Sequence, residues 1–216
     1  MNKERALKII VMLVSILFLS GCGSLGGQYS GFLGDYSQLR SSAKVKGALV
    51  YRSPYKTTAD FDNFIIDPIR VHFIPSSGAT AIDPEKLNEL TVYFRAQIIK
   101  ELKAGGYNVV NSPQGKTLRM RIAITDLKKT IAALNIHPTT KLSGAGLGGA
   151  SIEGEGVDSQ TDERIFAFVH TKKGSRFSFS EGLSTWGHAQ QVMDFWAGKI
   201  VERLDEIRQS KKWQNG

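Results

Sequence analysis

The amino-acid sequence predicts an α+β fold, a two-layer sandwich in which an antiparallel or mixed sheet of about five strands carries two main helices on one face. Three observations lead there. Two long segments repeat apolar residues at helical spacing, the stretches between them alternate at the strand period, and after the first helix the strands follow one another with no helix between. A doubly wound parallel sheet needs strand and helix to alternate throughout, which this order does not. The 216 residues, 41% hydrophobic and 22% charged, are enough for one domain with its own core, and exclude a disordered chain or a polytopic membrane protein.

Each element has its local reason. Residues 49–51 have strand character. Across 64–74, Ile69, Val71 and Phe73 fall on one face and Arg70 and His72 on the other, which predicts a strand buried on one side. Asp83-Pro84 is a helix start, an N-cap acceptor followed by proline at the first helical position, and Leu87, Leu90, Phe94, Ile98 and Leu102 make the apolar stripe. Gly105-Gly106 ends that helix, because glycine takes the left-handed conformation without a side-chain penalty.

Residues 107–110 read as a short strand. In 118–127, Leu118, Met120, Ile122 and Ile124 line one face and Arg119, Arg121 and Ala123 the other. Segments 150–157 and 164–170 flank the polar stretch 158–162 and should pair as an antiparallel hairpin, with Gly154 and Gly156 marking a bulge or close packing against a helix. A second helix is expected over 187–208, its stripe formed by Ala189, Val192, Trp196, Ile200, Leu204 and Ile207. Both helices should cover the same sheet face and bury Trp196, and the basic residues 210–216 should fray.

The first residues are of another kind. Lys3, Arg5 and Lys8 precede an apolar run from Ile9 to Leu19, far shorter than the roughly 20 residues of a spanning helix, which is the form of a signal peptide. Leu19-Ser20-Gly21-Cys22 follows, and Cys22 is the only cysteine, so an intramolecular disulfide, an iron–sulfur cluster and a multi-cysteine zinc site are excluded. The quartet resembles the lipobox of bacterial lipoproteins. The resemblance implies cleavage between Gly21 and Cys22 and acylation of Cys22, and Gly23 in the sorting position implies delivery to the outer membrane with the domain in the periplasm. The expected organisation is a signal peptide at 1–21, a lipidated cysteine and Gly/Ser-rich tether at 22–29, one domain at 30–209 and a tail at 210–216. Removing 1–21 lowers the formal charge from +8 to about +6, a balance suited to anionic envelope surfaces, while an exported chain has no nucleic acid to meet.

No constellation commits the chain to chemistry. Gly144-Ala145-Gly146-Leu147-Gly148-Gly149 matches GxGxxG, but a strand-like stretch follows where a dinucleotide site needs a helix N-terminus, so it reads as a flexible loop. His72, His137, His170 and His188 have no second ligand at metal spacing, and His72 and His170 read as half-exposed strand residues. His188 and Asp194 lie on different helix faces, and no nucleophile elbow is present. Glu153 and Glu155 share a strand face; the expectation is a solvated pair, the alternative a glycosidase-like acid–base pair. Phe32, Tyr36, Tyr51, Tyr55, Phe177, Phe179 and Trp186 are packing residues or, alternatively, the lining of a groove. Lys199, Arg203, Arg208, Lys211 and Lys212 are expected to complement their own helix dipole.

The segments 30–37, 66–69, 106–110 and 118–125 (SGFLGDYS, IDPI, GYNVV and LRMRIAIT), taken in this order behind a lipobox, resemble the bacterial lipoproteins called domain of unknown function 3313, over about residues 30–208. That resemblance implies an envelope lipoprotein with an α/β domain and no catalytic residues to carry over. Residues 156–164 also look like the D-x-x-T-G-E hairpin of several lipoprotein families, with Asp162 in place of the usual glycine. The expectation is a non-enzymatic lipoprotein, without metal or cofactor, that binds an envelope protein or cell-wall polymer; the alternative is a hydrolase or transferase acting on cell-wall or glycolipid substrates.

Overall fold

A computed structural model describes residues 29–74, 82–128, 149–173 and 187–214. Among the described residues eight strands form one mixed sheet: β1 (Arg40–Ser41), β2 (Ala48–Arg52), β3 (Asn63–Ile66), β4 (Arg70–Val71), β5 (Asn108–Val109), β6 (Thr117–Lys128), β7 (Gly149–Asp158) and β8 (Arg164–Lys173). Helix α1 (Pro84–Ala104) separates β4 from β5, and α2 (Gly187–Gln214) follows β8. The order across the sheet is β1-β2-β8-β7-β6-β3-β5, with β4 also on β6. β3 is parallel to β5 and β6, β4 is parallel to β6, and the pairs from β1 to β6 through β2, β8 and β7 are antiparallel. The α+β class and the mixed sheet are as expected; the strand count is eight rather than about five because the two-residue β1 lies below the reach of period counting and the one strand expected over 64–74 is split into β3 and β4.

One core joins both helices to one sheet face. Leu90, Phe94, Ile98 and Leu102 of α1 and Val192, Trp196, Ala197 and Leu204 of α2 pack with Met120, Ile122, Ile124 and Ile152. Asp83 caps α1 as expected, its Oδ1 accepting from Glu85 N at 2.8 Å. At the other end Gly106, at φ 73°, supplies the left-handed residue that lets Tyr107 N reach Leu102 O. A register shift between Ile124 and Asp126 adds a residue to β6, so Leu127 returns to the core face that an unbroken strand would have denied it.

Three expectations need correction. Residues 64–74 are two strands, because Pro68 has no N–H for a ladder and the chain leaves the sheet there; Val71, expected in the core, is 39% exposed. The 210–216 tail is helical as far as Gln214, and Lys211 is fixed to Asp60 Oδ1 at 2.5 Å. Tyr29, assigned to the tether, stacks on Tyr36 with ring centroids 4.3 Å apart. The hairpin turn keeps its glycine geometry although the glycine is absent: Asp162 adopts φ 59° itself, and Arg121 Nη2 holds its carboxylate at 2.6 Å.

The opposite sheet face has its own cover. Leu33 and Leu39, with Phe32 and Tyr36, lie over Leu49, Tyr51, Ala167 and Val169, so the segment before β1 forms a partial third layer.

Candidate functional site

On the helix side, α2 does not reach the β1 edge of the sheet. Between the helix and the strands β2 and β8 runs a cleft of about 320 Å³, at the lower end of the range of small-molecule sites. It follows α2 from Trp196 to Ser210, roughly 20 Å at 1.5 Å per residue. Cross-strand pairing builds the floor: Phe166 and Phe168 of β8 lie opposite Gly156 and Gly154 of β7. A Cβ at Gly156 would stand 2.3 Å from Phe166 Cε1, and one at Gly154 2.5 Å from Phe168 Cζ, so both rings fold over strand backbone that only glycine leaves bare. The bulge expected here is present as a register shift between Gly156 and Val157, and the close packing is also real, although its partner is the neighbouring strand and not a helix.

The outer wall is the turn between β1 and β2, which contributes Ser42 and Val45. Lys44 of that turn crosses to Glu206 of α2 at 2.6 Å. Glu206 also accepts from Arg203 Nη1; these hydrogen bonds, from Arg203 first and then Lys44, hold its carboxyl down at about 2. The second guanidinium nitrogen of Arg203, Nη2, is buried with no hydrogen-bond partner, and so is the hydroxyl of Thr58, a residue 6% exposed. Both residues line the cleft. Arg52 and Lys56 line it too, Lys56 being engaged with Asp158 and Glu163.

At the other end His170 closes the floor. Trp196 Nε1, which can only donate, gives its proton to His170 Nδ1 at 2.8 Å, so the imidazole is neutral with its proton on Nε2, facing the Lys46 carbonyl. Burial depresses its pKa; the Lys46 contact opposes that and the Lys172 charge adds to it. The half-exposed histidine expected at this position is therefore a buried one, 7% exposed, because Trp196 and Phe195 cover it. His72 is exposed, edge-on to Phe32.

Glu153 and Glu155 are not solvated. They are 0% and 9% exposed, because the segment before β1 closes over them. Glu153 accepts from Ser30 N at 2.8 Å and from the Tyr36 hydroxyl at 2.5 Å; burial, then this bond, raises the Tyr36 phenol to about 12. Glu155 accepts from Arg164 Nε at 2.8 Å and lies 3.5 Å from Arg121 Nη1. Arg164 also donates to the carbonyls of Leu33 and Asp35. Both carboxylates thus serve to fasten the N-terminal segment.

Of the aromatic residues singled out, Phe32, Tyr36 and Tyr51 meet on the face opposite the helices, whereas Tyr55 is exposed. Lys199 and Arg203 stand mid-helix, since α2 continues to Gln214, and they pair with Glu202 and Glu206; dipole compensation at the helix end does not account for them. Arg208 pairs with Asp205 and lies 4.2 Å over the Tyr107 ring, while Asp194 accepts from the Tyr93 hydroxyl at 2.6 Å. Gly21, Cys22, His137, the glycine run 144–148, Phe177, Phe179 and Trp186, and the side chains of His188 and Lys212, lie outside the described residues. The cleft itself went unseen in sequence. Its signal was there: antiparallel register about the 158–163 turn sets two phenylalanines opposite two glycines.

The architecture and the fastened N-terminal segment define an α+β domain, and comparison with known proteins gives its family. The model for "Protein of unknown function (DUF3313)" matches residues 28–200, and the chain belongs to that family. It is 25% identical over 202 residues to the uncharacterized lipoprotein YdcL of Escherichia coli strain K12, covering 86% of this chain and 90% of that one. It is an envelope lipoprotein. Among solved structures, a PelC dodecamer from Paraburkholderia phytofirmans aligns at a TM-score of 0.44 and 11% identity over 73% of this chain and 95% of that one. The minor lipoprotein from Acinetobacter baumannii aligns at 0.35 and 11%, over 68% and 93%.

Proposed function

We propose that the protein is a non-enzymatic lipoprotein, held by acyl chains on Cys22 in the outer membrane with its domain in the periplasm, and that it binds another envelope component in the cleft between α2 and the β2–β8 edge. The cleft carries this reading: apolar side chains line it with basic residues beside them, and two of its lining residues, Arg203 and Thr58, each hold a buried polar atom that lacks a partner. The lipobox at 19–22 supports the anchor, since two or three acyl chains hold a protein stably where one does not.

Two measurements on the full chain in cells test the reading. Cys22→Ala should leave an uncleaved precursor or release the protein from membranes; normally processed, membrane-bound protein would overturn the anchor. A photoreactive residue in place of Ile207 should capture an envelope component on irradiation, and a residue placed at exposed Val92 on α1 should not. Equal capture at both positions would overturn the cleft as the recognition face.

A further inference from the structure

We infer that the cleft takes an anionic amphiphile, one acyl chain laid along the α2 side of Phe166 and Phe168 with its phosphate or carboxylate head received by Arg203 and Thr58. This names the ligand class of the site proposed above and rests on that reading.

The shape of the site argues for a chain. Where Val50, Phe168, Ile200 and Leu204 line it, the cleft offers a methylene chain apolar contact worth about 0.8 kcal/mol for each CH₂ removed from water. These four side chains carry no hydrogen-bonding group, whereas Arg52, Thr58, Lys199 and Arg203 of the same lining do. A glycan or an extended peptide laid there would leave hydroxyls or amides unanswered, at a cost of about 1–3 kcal/mol each, so the apolar stretch selects against both.

The polar atoms argue for an anion. Buried polar groups in folded proteins almost always have a partner, and here two of the orphans belong to residues lining one cleft. Arg203 is a cation whose Nη1 is committed to Glu206 and whose Nη2 is a donor with nothing to donate to; the hydroxyl of Thr58, another lining residue, can also donate. An acceptor bearing negative charge answers both. Arg52, on the opposite wall, is exposed and has no ion pair among the described residues, so it adds a cation that any head group meets on entry.

The turn between β1 and β2 gives the chain a way in. The Lys44–Glu206 pair that spans the outer wall is exposed, 61% and 39% by side chain, and an ion pair of that kind contributes little to stability. It can part without unfolding anything behind it.

The test uses the full lipidated protein in neutral phosphatidylcholine vesicles carrying a sixteen-carbon lysophosphatidate with a diazirine near its chain end, or the uncharged monoacylglycerol with the same chain. After irradiation the lysophosphatidate should label the peptides holding 166–168 and 200–207, about tenfold more than the monoacylglycerol does, with residues 29–39 of the opposite face as the background. A single charge-assisted hydrogen bond is worth that factor. Arg203→Gln should bring lysophosphatidate labelling down to the uncharged level, and Thr58→Val should reduce it several-fold, both with the melting transition retained. Equal labelling by the two probes, labelling unmoved by Arg203→Gln, or labelling no higher than at 29–39 would each overturn the inference. If the lipid probe fails while Ile207 still captures a polysaccharide or a protein in cells, the recognition face stands and the amphiphile falls. A free anion is separated from a lipid head by inorganic phosphate: if millimolar phosphate abolishes labelling as fully as unlabelled lysophosphatidate at the probe's own concentration, the chain contributes nothing and the inference is overturned.

Discussion

Trp196 is buried to 3% between Phe94 of α1 and His170 of β8, and its indole N–H is satisfied. Trp196→Ala would remove the largest side chain of α2 from the core and strip His170 of its donor. We expect a loss of about 3–5 kcal/mol, read as a fall in the denaturation midpoint; a melting temperature within a degree or two of the parent would contradict the packing. His170 makes a pH prediction. Its folded pKa lies below the unfolded value, so as pH falls through about 6.5 the unfolded chain takes up a proton first and stability declines, levelling only below the folded pKa. The groups that face the ring are Trp196, Phe195, the Lys46 carbonyl and the Lys172 ammonium, which itself lies 3.9 Å over Phe195. Thermal melts from pH 7.5 to 5.5 should slope downward in the parent and flatten in His170→Gln. A parent curve that is flat over that interval would show that the ring is not held neutral.

The N-terminal segment and the hairpin β7–β8 behave as one element joined by side chains. Ser30 and Tyr36 seize Glu153, and Arg164 bridges Glu155 to the carbonyls of Leu33 and Asp35. Tyr36→Phe removes one charge-assisted bond at a partly buried site, and we expect a cost of about 1.5 kcal/mol, with faster hydrogen exchange confined to the first ten or so described residues. Exchange that quickens equally in α1 would mean that the segment is not a separable cover. This element shows where sequence reasoning stops. Strand alternation correctly put Glu153 and Glu155 on one face and Met120, Ile122 and Ile124 on another, since period two needs nothing but the chain. Which face meets water is a different question. It is decided by the segment at 29–39, distant in sequence by more than a hundred residues, and the alternation holds no record of it.

At the scale of the whole molecule, the helices, the long strands and the hairpin were legible because each is fixed by neighbours within a few residues: a cap, a stripe, a glycine stop. β1, and the break that makes β4 a strand of its own, were not, since these two-residue pieces exist only through the partners they meet across the sheet. The floor of the cleft was legible in the hairpin register that sets Phe166 and Phe168 opposite Gly156 and Gly154, but its opening was not. It arises where α2 fails to reach β2, and that is a matter of how far a helix lies from a sheet edge, not of any motif. The unpartnered nitrogen of Arg203 is visible only when every other group around it has been accounted for.

The fastening of Ser30 and Tyr36 to Glu153 also governs how the molecule bears load. Tyr29 stands seven residues after Cys22, at most about 25 Å of chain, so with Cys22 in a bilayer every thermal tug on the domain arrives through that short leash. It arrives at β7, the middle of the seven-strand path, where each ladder on either side must shear as a unit. A leash tied to an edge strand would peel the sheet one hydrogen bond at a time. Tied at the centre, it would pass the load into both halves of the sheet together.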